Sequence, residues 1–304
     1  MACLSKRSFR IPEIIAAARS SHMSLPDIIT LALAEDIGAG DVTVRHFTDP
    51  TSCSTARIVA RQACCLAGVE VGREIFIRVD PALVVTCLRI DGETLAPGDV
   101  VLEVSGPTGS ILTAERTALN FMQRLCGVAT MTRRYVDAVA GTGVTLLDTR
   151  KTTPGLRLLE KAAVVAGGGT NHRLGLHDMV MLKDNHLAAG TDMRRLQSDI
   201  DAAKAAGLRI EIEADTLDQV RAFFAFRHVD VILLDNMSLE EMREAVRLRP
   251  AHIQLEASGG VTLATIREIA QTGVDFISVG ALTHSAPSVD LSLEMQPTSA
   301  RRGH

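Results

Sequence analysis

A chain of 304 residues is long enough for about two domains of ordinary size, and 46% hydrophobic with 22% charged residues predicts a soluble globular fold. With no Trp, a single Tyr and a net charge of -4, the chain lacks the stacking residues and basic surface of nucleic-acid or anionic-membrane binders. No run of about 18 apolar residues predicts a membrane span. Arg10, Pro12 and Glu13 interrupt any signal-peptide core. Six cysteines without C-x-x-C spacing fit a reducing cytoplasm better than a disulfide or zinc framework.

The N-terminal stretch predicts helices over 14–19 and 25–34, started by Pro12 and Pro26. Ile37-Gly-Ala-Gly-Asp41 is a turn-rich loop that lacks the preceding strand and third glycine of a dinucleotide fingerprint. Residues 55–60, 83–90 and 100–104 read as strands and 67–79 as a helix, with tight turns at Asp91-Gly92 and Pro97-Gly98-Asp99. This half concentrates no chemistry and reads as an α/β sandwich. From Thr113 the period turns helical through Leu119, Met122 and Leu125, with Gly127 and Gly141 as breaks. Beyond Gly141, strands are expected at 144–147, 179–182, 210–214, 229–234, 253–255 and 276–279, alternating with helices. One of those helices opens on a Ser238/Glu241 capping box. This is the pattern of a (β/α) barrel or of a doubly wound sheet, and periodicity alone does not choose. The tail from Asp290 to His304 ends in an Arg-Arg-Gly-His segment that reads as loose.

The strand ends carry the charge. Arg150, Lys151, His172, Arg173 and Lys183 gather in and between the blocks that follow two of them, and such a cluster repels itself until an anion neutralises it. Ser258-Gly259-Gly260 and Gly280-Ala281 end the last two strands, where glycine loops of barrel enzymes grip phosphate; simple turn geometry is the competing reading. Glu213 and Asp235 end two further strands. They suit a divalent cation, ribose hydroxyls or a developing carbocation, or a plain ion pair with Arg150 or Lys183. No H-x-x-x-H pair sits on a helix, so a zinc role for the histidines is weak, and His172 suits a carboxylate better. Lys183 reads either as a Schiff-base nucleophile or as a carboxylate ligand. Arg116, beside Glu115, reads by itself as half of a helix-surface ion pair. Asp148 and Asp184-Asn185 read as supports for the neighbouring residues.

Three of these blocks, Asp148-Thr-Arg-Lys-Thr-Thr-Pro-Gly-Leu-Arg157, Asn171-His-Arg-Leu-Gly175 and Lys183-Asp-Asn-His186, closely resemble the quinolinate phosphoribosyltransferase family. The likeness continues through Leu255-Glu-Ala-Ser-Gly-Gly260 and Ser278-Val-Gly-Ala-Leu-Thr-His284, and begins at Ala32-Leu-Ala-Glu-Asp-Ile-Gly-Ala-Gly-Asp41. It implies an N-terminal α/β sandwich domain over 1–127, an incomplete (β/α) barrel catalytic domain over 128–286 and a tail over 287–304. The implied reaction joins quinolinate to 5-phosphoribosyl-1-pyrophosphate, giving nicotinate mononucleotide, pyrophosphate and CO2.

Matched positions imply that Arg150, His172, Arg173 and Lys183 hold the two carboxylates, with Arg116 supplied by the partner subunit of a homodimer. Lys151, Glu213 and Asp235 would face the phosphoribosyl donor, with Mg2+ balancing its pyrophosphate and no organic cofactor. Ser258, Gly259, Gly260, Gly280 and Ala281 would take its 5-phosphate. Two other enzymes stay open: a paralogous phosphoribosyltransferase acting on another substrate, and a Schiff-base barrel lyase using Lys183. The molybdenum-associated paralogues tend to depart from the Lys-Asp-Asn-His block that stands at 183–186. A non-catalytic anion-binding protein ranks below both.

Overall fold

The computed structural model describes residues 25–183 and 193–296. The helix expected over 14–19 and the Asp184-Asn185-His186 end of the third block lie outside them. The chain divides into two compact units. The first takes Met1–Arg133, Thr153–Gly168 and Ala286–His304, and the second takes Arg134–Thr152 and Gly169–Ser285.

In the first unit, α1 (Leu25–Ile37) has Pro26 in its opening turn, where a missing N–H costs nothing. The short helix α2 (Val42–Phe47) is capped by Asp41, whose carboxylate accepts the Val44 N–H at 2.9 Å. β1 (Cys53–Ala60) leads through the two-residue β2 (Cys64–Cys65) to α3 (Val69–Val79), which buries the stripe Val71, Ile75 and Phe76. β3 (Val84–Cys87), β4 (Thr94–Leu95) and β5 (Val100–Pro107) complete this half, with β2 and β4 paired as a small ribbon. Helix α4 (Thr108–Ala138) follows and belongs to this unit up to Arg133, and α5 (Arg157–Ala166) lies within it.

Two expectations change here. The stretch assigned to the C-terminal tail contains β12 (Leu291–Met295), which pairs antiparallel with β1 from Ala60↔Leu291 to Ala56↔Met295, while its Arg-Arg-Gly-His end lies outside the described residues. The main sheet has the order β12-β1-β5-β3, so the end of the described chain completes its beginning. Leu291, Leu293 and Met295 alternate with polar residues, which is why the segment is stable as a strand. Nor does Gly127 break α4: the helix runs through it unbroken. A Cβ there would lie 2.1 Å from the Pro287 carbonyl oxygen, so the glycine serves a close backbone approach. Gly127→Ala should therefore cost about 1–3 kcal/mol by overpacking, seen as a lower urea midpoint at unchanged slope. An unchanged midpoint would mean that the two segments separate freely.

The second unit is a parallel sheet. Its strands are β6 (Thr145–Leu147), β7 (Val180–Leu182), β8 (Ile210–Ala214), β9 (Val231–Asp235), β10 (Gln254–Ser258) and β11 (Phe276–Ser278). Helices α6 (Met193–Ala205), α7 (Leu217–Phe223), α8 (Leu239–Leu248) and α9 (Ile266–Ala270) separate the strands from β7 to β11, and α10 (Ala281–His284) follows β11. The expected Ser238/Glu241 capping box is present at α8, and Thr216/Gln219 make another at α7.

The order β6-β11-β10-β9-β8-β7 decides between the two sheet types. A doubly wound sheet reverses direction at a switch point. Here every step from β7 to β11 adds on one side, and the last strand pairs with the first, which is the circular order of a barrel. No ladder joins β6 to β7 among the described residues; a single parallel bridge, Leu147↔Thr170, lies along that edge. Among the described residues the barrel is not closed at that edge.

Candidate active site

Parallel strands send all their C-terminal ends to the same edge, so Asp148, Lys183, Glu213, Asp235, Ser258 and Ser278 meet at one end of the sheet. Register sets the neighbours. Leu182 lies opposite Ile212, so the next pair outward is Lys183 and Glu213, and their ammonium and carboxylate meet at 2.5 Å. Ser258 lies opposite Asp235, and the Ser278 hydroxyl donates to the Ser258 oxygen at 3.0 Å. Farther along the sheet, Leu147, Val231 and Phe276 form an apolar cluster, and the Arg209 guanidinium stacks 5.7 Å from the Phe276 ring centre.

Beside the Lys183 end a cavity of about 360 Å³ opens, lined by Arg150, Arg173, His177 and Lys183 over Met179, Val180, Met181 and Leu182. That lies at the small end of the range of about 300–1,000 Å³ for small-molecule sites. Three fixed cations and a histidine over an apolar floor suit a flat, apolar-bodied molecule carrying more than one negative charge. Arg173 is held by the Met179 carbonyl at 3.4 Å and the Met181 sulfur at 3.3 Å. Burial and the neighbouring Arg150 both lower its pKa, while Glu211 opposes them.

The loop that presents these groups is tied from below. Asp148 is fully buried and accepts the Asn171 side-chain amide at 2.6 Å and the His172 backbone N–H at 2.8 Å. This is the supporting role read from the sequence. His172 is placed less simply. Its Nε2 faces the carboxylates of Glu211 at 3.1 Å and Glu256 at 3.4 Å, and its Nδ1 accepts the Arg173 backbone N–H at 2.7 Å.

Burial alone lowers the imidazole pKa, but the two carboxylates outweigh it and raise it to about 10. Glu211 is raised in turn, by burial first and then by the charge of Glu256. With the Arg173 backbone N–H aimed at Nδ1, a ring proton belongs on Nε2, where it faces the two carboxylates. The cation cluster therefore has resident counter-charge: Glu213 under Lys183, and Glu211 with Glu256 under His172.

On the β9–β11 side, Asn236 holds φ +53° and donates to Asp235 at 2.9 Å, while its backbone N–H donates to the Ser258 carbonyl at 2.9 Å. Gly259, at φ +89°, has no room for a side chain: a Cβ would lie 2.2 Å from the Asn236 side-chain oxygen. The Lys151 side chain lies against Gly280, where a Cβ would be 2.9 Å from Lys151 Cδ. Thr283 donates its hydroxyl to the Lys151 carbonyl at 2.8 Å, which joins the β6 and β11 loops next to Ala281. The hard carboxylate oxygens of Glu213 and Asp235 are the kind that magnesium accepts alongside water and phosphate. Arg116, the remaining expected site residue, is exposed on α4 and makes no salt bridge among the described residues, contrary to its plain reading as a surface ion pair.

Residues 41–126 match the family description "Quinolinate phosphoribosyl transferase, N-terminal domain", and residues 128–294 match its "C-terminal domain" counterpart. The chain belongs to the quinolinate phosphoribosyltransferase family. A probable nicotinate-nucleotide pyrophosphorylase [carboxylating] of Bacillus subtilis is 42% identical over 277 residues, covering 90% of this chain and 94% of the relative. A chloroplastic enzyme of that name from Arabidopsis thaliana is 42% identical over 289 residues, covering 89% and 82%. The structure of the nicotinate-nucleotide pyrophosphorylase from Francisella tularensis superposes with a TM-score of 0.82 at 38% identity, covering 89% of this chain and 95% of that one.

As a member of the quinolinate phosphoribosyltransferase family, the chain has the sandwich-plus-barrel architecture expected from its motifs. The sequence reading missed Glu211 and Glu256. A signal was present: each is a carboxylate inside an otherwise apolar strand, in Ile210-Glu-Ile and Leu255-Glu-Ala. The reading had ended the β10 strand before Glu256, whereas pairing continues to Ser258.

Proposed function

We propose that this chain transfers phosphoribosyl from 5-phosphoribosyl-1-pyrophosphate to quinolinate with decarboxylation, giving nicotinate mononucleotide, pyrophosphate and CO2, a step of de novo NAD biosynthesis. The cavity of Arg150, Arg173 and Lys183 over an apolar floor carries the reading, because quinolinate is a flat ring with two adjacent carboxylates. In this assignment Arg150, His172, Arg173 and Lys183 hold those carboxylates, and Arg116 of the partner subunit completes the set. Lys151, Glu213 and Asp235 face the donor. Ser258, Gly259, Gly260, Gly280 and Ala281 take its 5-phosphate. Mg2+, held by Glu213 and Asp235 through water, neutralises pyrophosphate charge. The catalytic domain is assigned to 128–286, after the sandwich of 1–127 and before the tail of 287–304, and the enzyme is a cytoplasmic homodimer without an organic cofactor.

Pyridine nitrogen is already nucleophilic, so bond formation at the anomeric carbon needs no general base. What the site supplies is alignment, with carboxylates beside the positive charge that develops on the ribose. The ring nitrogen becomes cationic once bonded. The electrons released as CO2 leaves are then stabilised at the adjacent ring carbon, which takes up a proton. The carboxylate that stays anchors the ring throughout.

An ammonium paired with Glu213 suits a carboxylate ligand, and this favours Lys183 as a binding group over Lys183 as a Schiff-base nucleophile. A product assay with magnesium, the phosphoribosyl donor and either quinolinate or nicotinate tests the whole reading. Nicotinate mononucleotide and CO2 are expected from quinolinate alone. Product from nicotinate alone would overturn the dicarboxylate assignment, and no product from either would return the paralogue and the lyase.

A further inference from the structure

Next to the dicarboxylate cavity lies a polar layer that the reaction above leaves unused. Glu211 of β8 and Glu256 of β10 are each about 1% exposed. Each has one carboxylate oxygen, Oε1, buried without a hydrogen-bond partner among the described residues. Their other oxygens converge on the same His172 Nε2. Across the ring, Nδ1 takes the Arg173 backbone N–H. The imidazole is thus a strut with two carboxylates at one end and the backbone of a substrate-binding arginine at the other.

Two like charges side by side in a dry layer are a poor way to stabilise a fold, since apolar replacements of buried ionic groups are often neutral or better. They make sense where cations must be held together. The ligand atoms of His172, Glu211 and Glu256 all lie within 4.8 Å of one another, close enough for a metal site. An Nε2 that carries the proton donates to the carboxylates instead of offering a lone pair, so the trio is a hydrogen-bonded unit.

We propose that Glu211 and Glu256 are positioning residues for the anion site: they hold His172 through Nε2, and the ring in turn holds Arg173, so the cation cluster is assembled before substrate arrives. The groups that face the ring are Glu211 from β8, Glu256 from β10 and the Arg173 N–H at Nδ1, while Asp148, after β6, holds the His172 backbone N–H. The identity of the anion rests on the quinolinate reading. The holding of His172 does not.

The experiment compares full-length wild type with Glu211→Gln and Glu256→Gln, isosteres that keep volume and remove charge. Three quantities are read: quinolinate affinity by calorimetry, the thermal midpoint, and the His172 ring N–H resonance, assigned with His172→Asn. In the wild type a protected, downfield Nε2–H signal is expected, as for a proton bonded to a carboxylate. Each variant should move that signal upfield and weaken quinolinate about tenfold, because a neutral acceptor replaces a charged one. The thermal midpoint should hold or rise.

Unchanged quinolinate affinity in both variants would overturn the proposal, as would an affinity loss that merely tracks a falling midpoint. A wild-type His172 ring without a protected N–H would also overturn it. If the wild type fails to bind quinolinate yet shows the protected signal, and both variants lose it, the substrate reading falls while the strut is upheld.

Discussion

Arg173→Ala is expected to lower kcat/KM for quinolinate by about a hundredfold, mostly through KM, with the KM for the phosphoribosyl donor nearly unchanged. The size follows from removing a charge-assisted, partly buried contact to a carboxylate, worth about 2–3 kcal/mol at about 1.4 kcal/mol per factor of ten. Lys183→Ala should match it in affinity and add a second effect. Glu213 is buried and loses its counter-charge, while Lys183 is 40% exposed, so the folding cost is about 1–2 kcal/mol. Steady-state kinetics with each substrate varied, paired with denaturant titration, separates the two variants. Wild-type quinolinate KM in both would mean that the dicarboxylate binds elsewhere.

The second large effect concerns the subunit that supplies Arg116. Arg116→Ala and Lys183→Ala proteins, each nearly inactive alone, should regain activity when mixed and allowed to exchange subunits. A two-fold dimer with shared sites gives one intact site in each mixed dimer. Equal mixing therefore restores about a quarter of the wild-type sites. The exposed position of Arg116 on α4, without a salt bridge among the described residues, leaves its guanidinium available for this role. No recovery despite demonstrated exchange, by native mass measurement of tagged subunits, would return Arg116 to the helix surface.

Much of the site was legible because strand ends announce themselves locally. Val144 to Leu147 and Met179 to Leu182 are apolar runs that stop at charge, and both became strands delivering Arg150 and Lys183 to the same end of the sheet. The capping box at Ser238 and the turns at Asp91-Gly92 and Pro97-Gly98 depend on neighbours within four residues, and they stand as read. Gly127 was misread because a glycine inside a helix has the same local signature whether it ends the helix or admits another segment. Only the approach of Pro287 tells the two apart. The C-terminal strand carried a period of two over five residues, too short to stand out until β1 offered it an edge.

The amino-acid order by itself determined the alternation of strands and helices, the five cations and two carboxylates at the strand ends, and the family blocks that name the chemistry. These are written in contiguous residues and need no partner to be seen. The tertiary structure alone decided that the last strand pairs with the first, that Lys183 meets Glu213, and that Glu211 and Glu256 share one imidazole. Each of those depends on register between distant segments. A shift of one residue turns a side chain to the other face of the sheet, and no local pattern records which register is adopted.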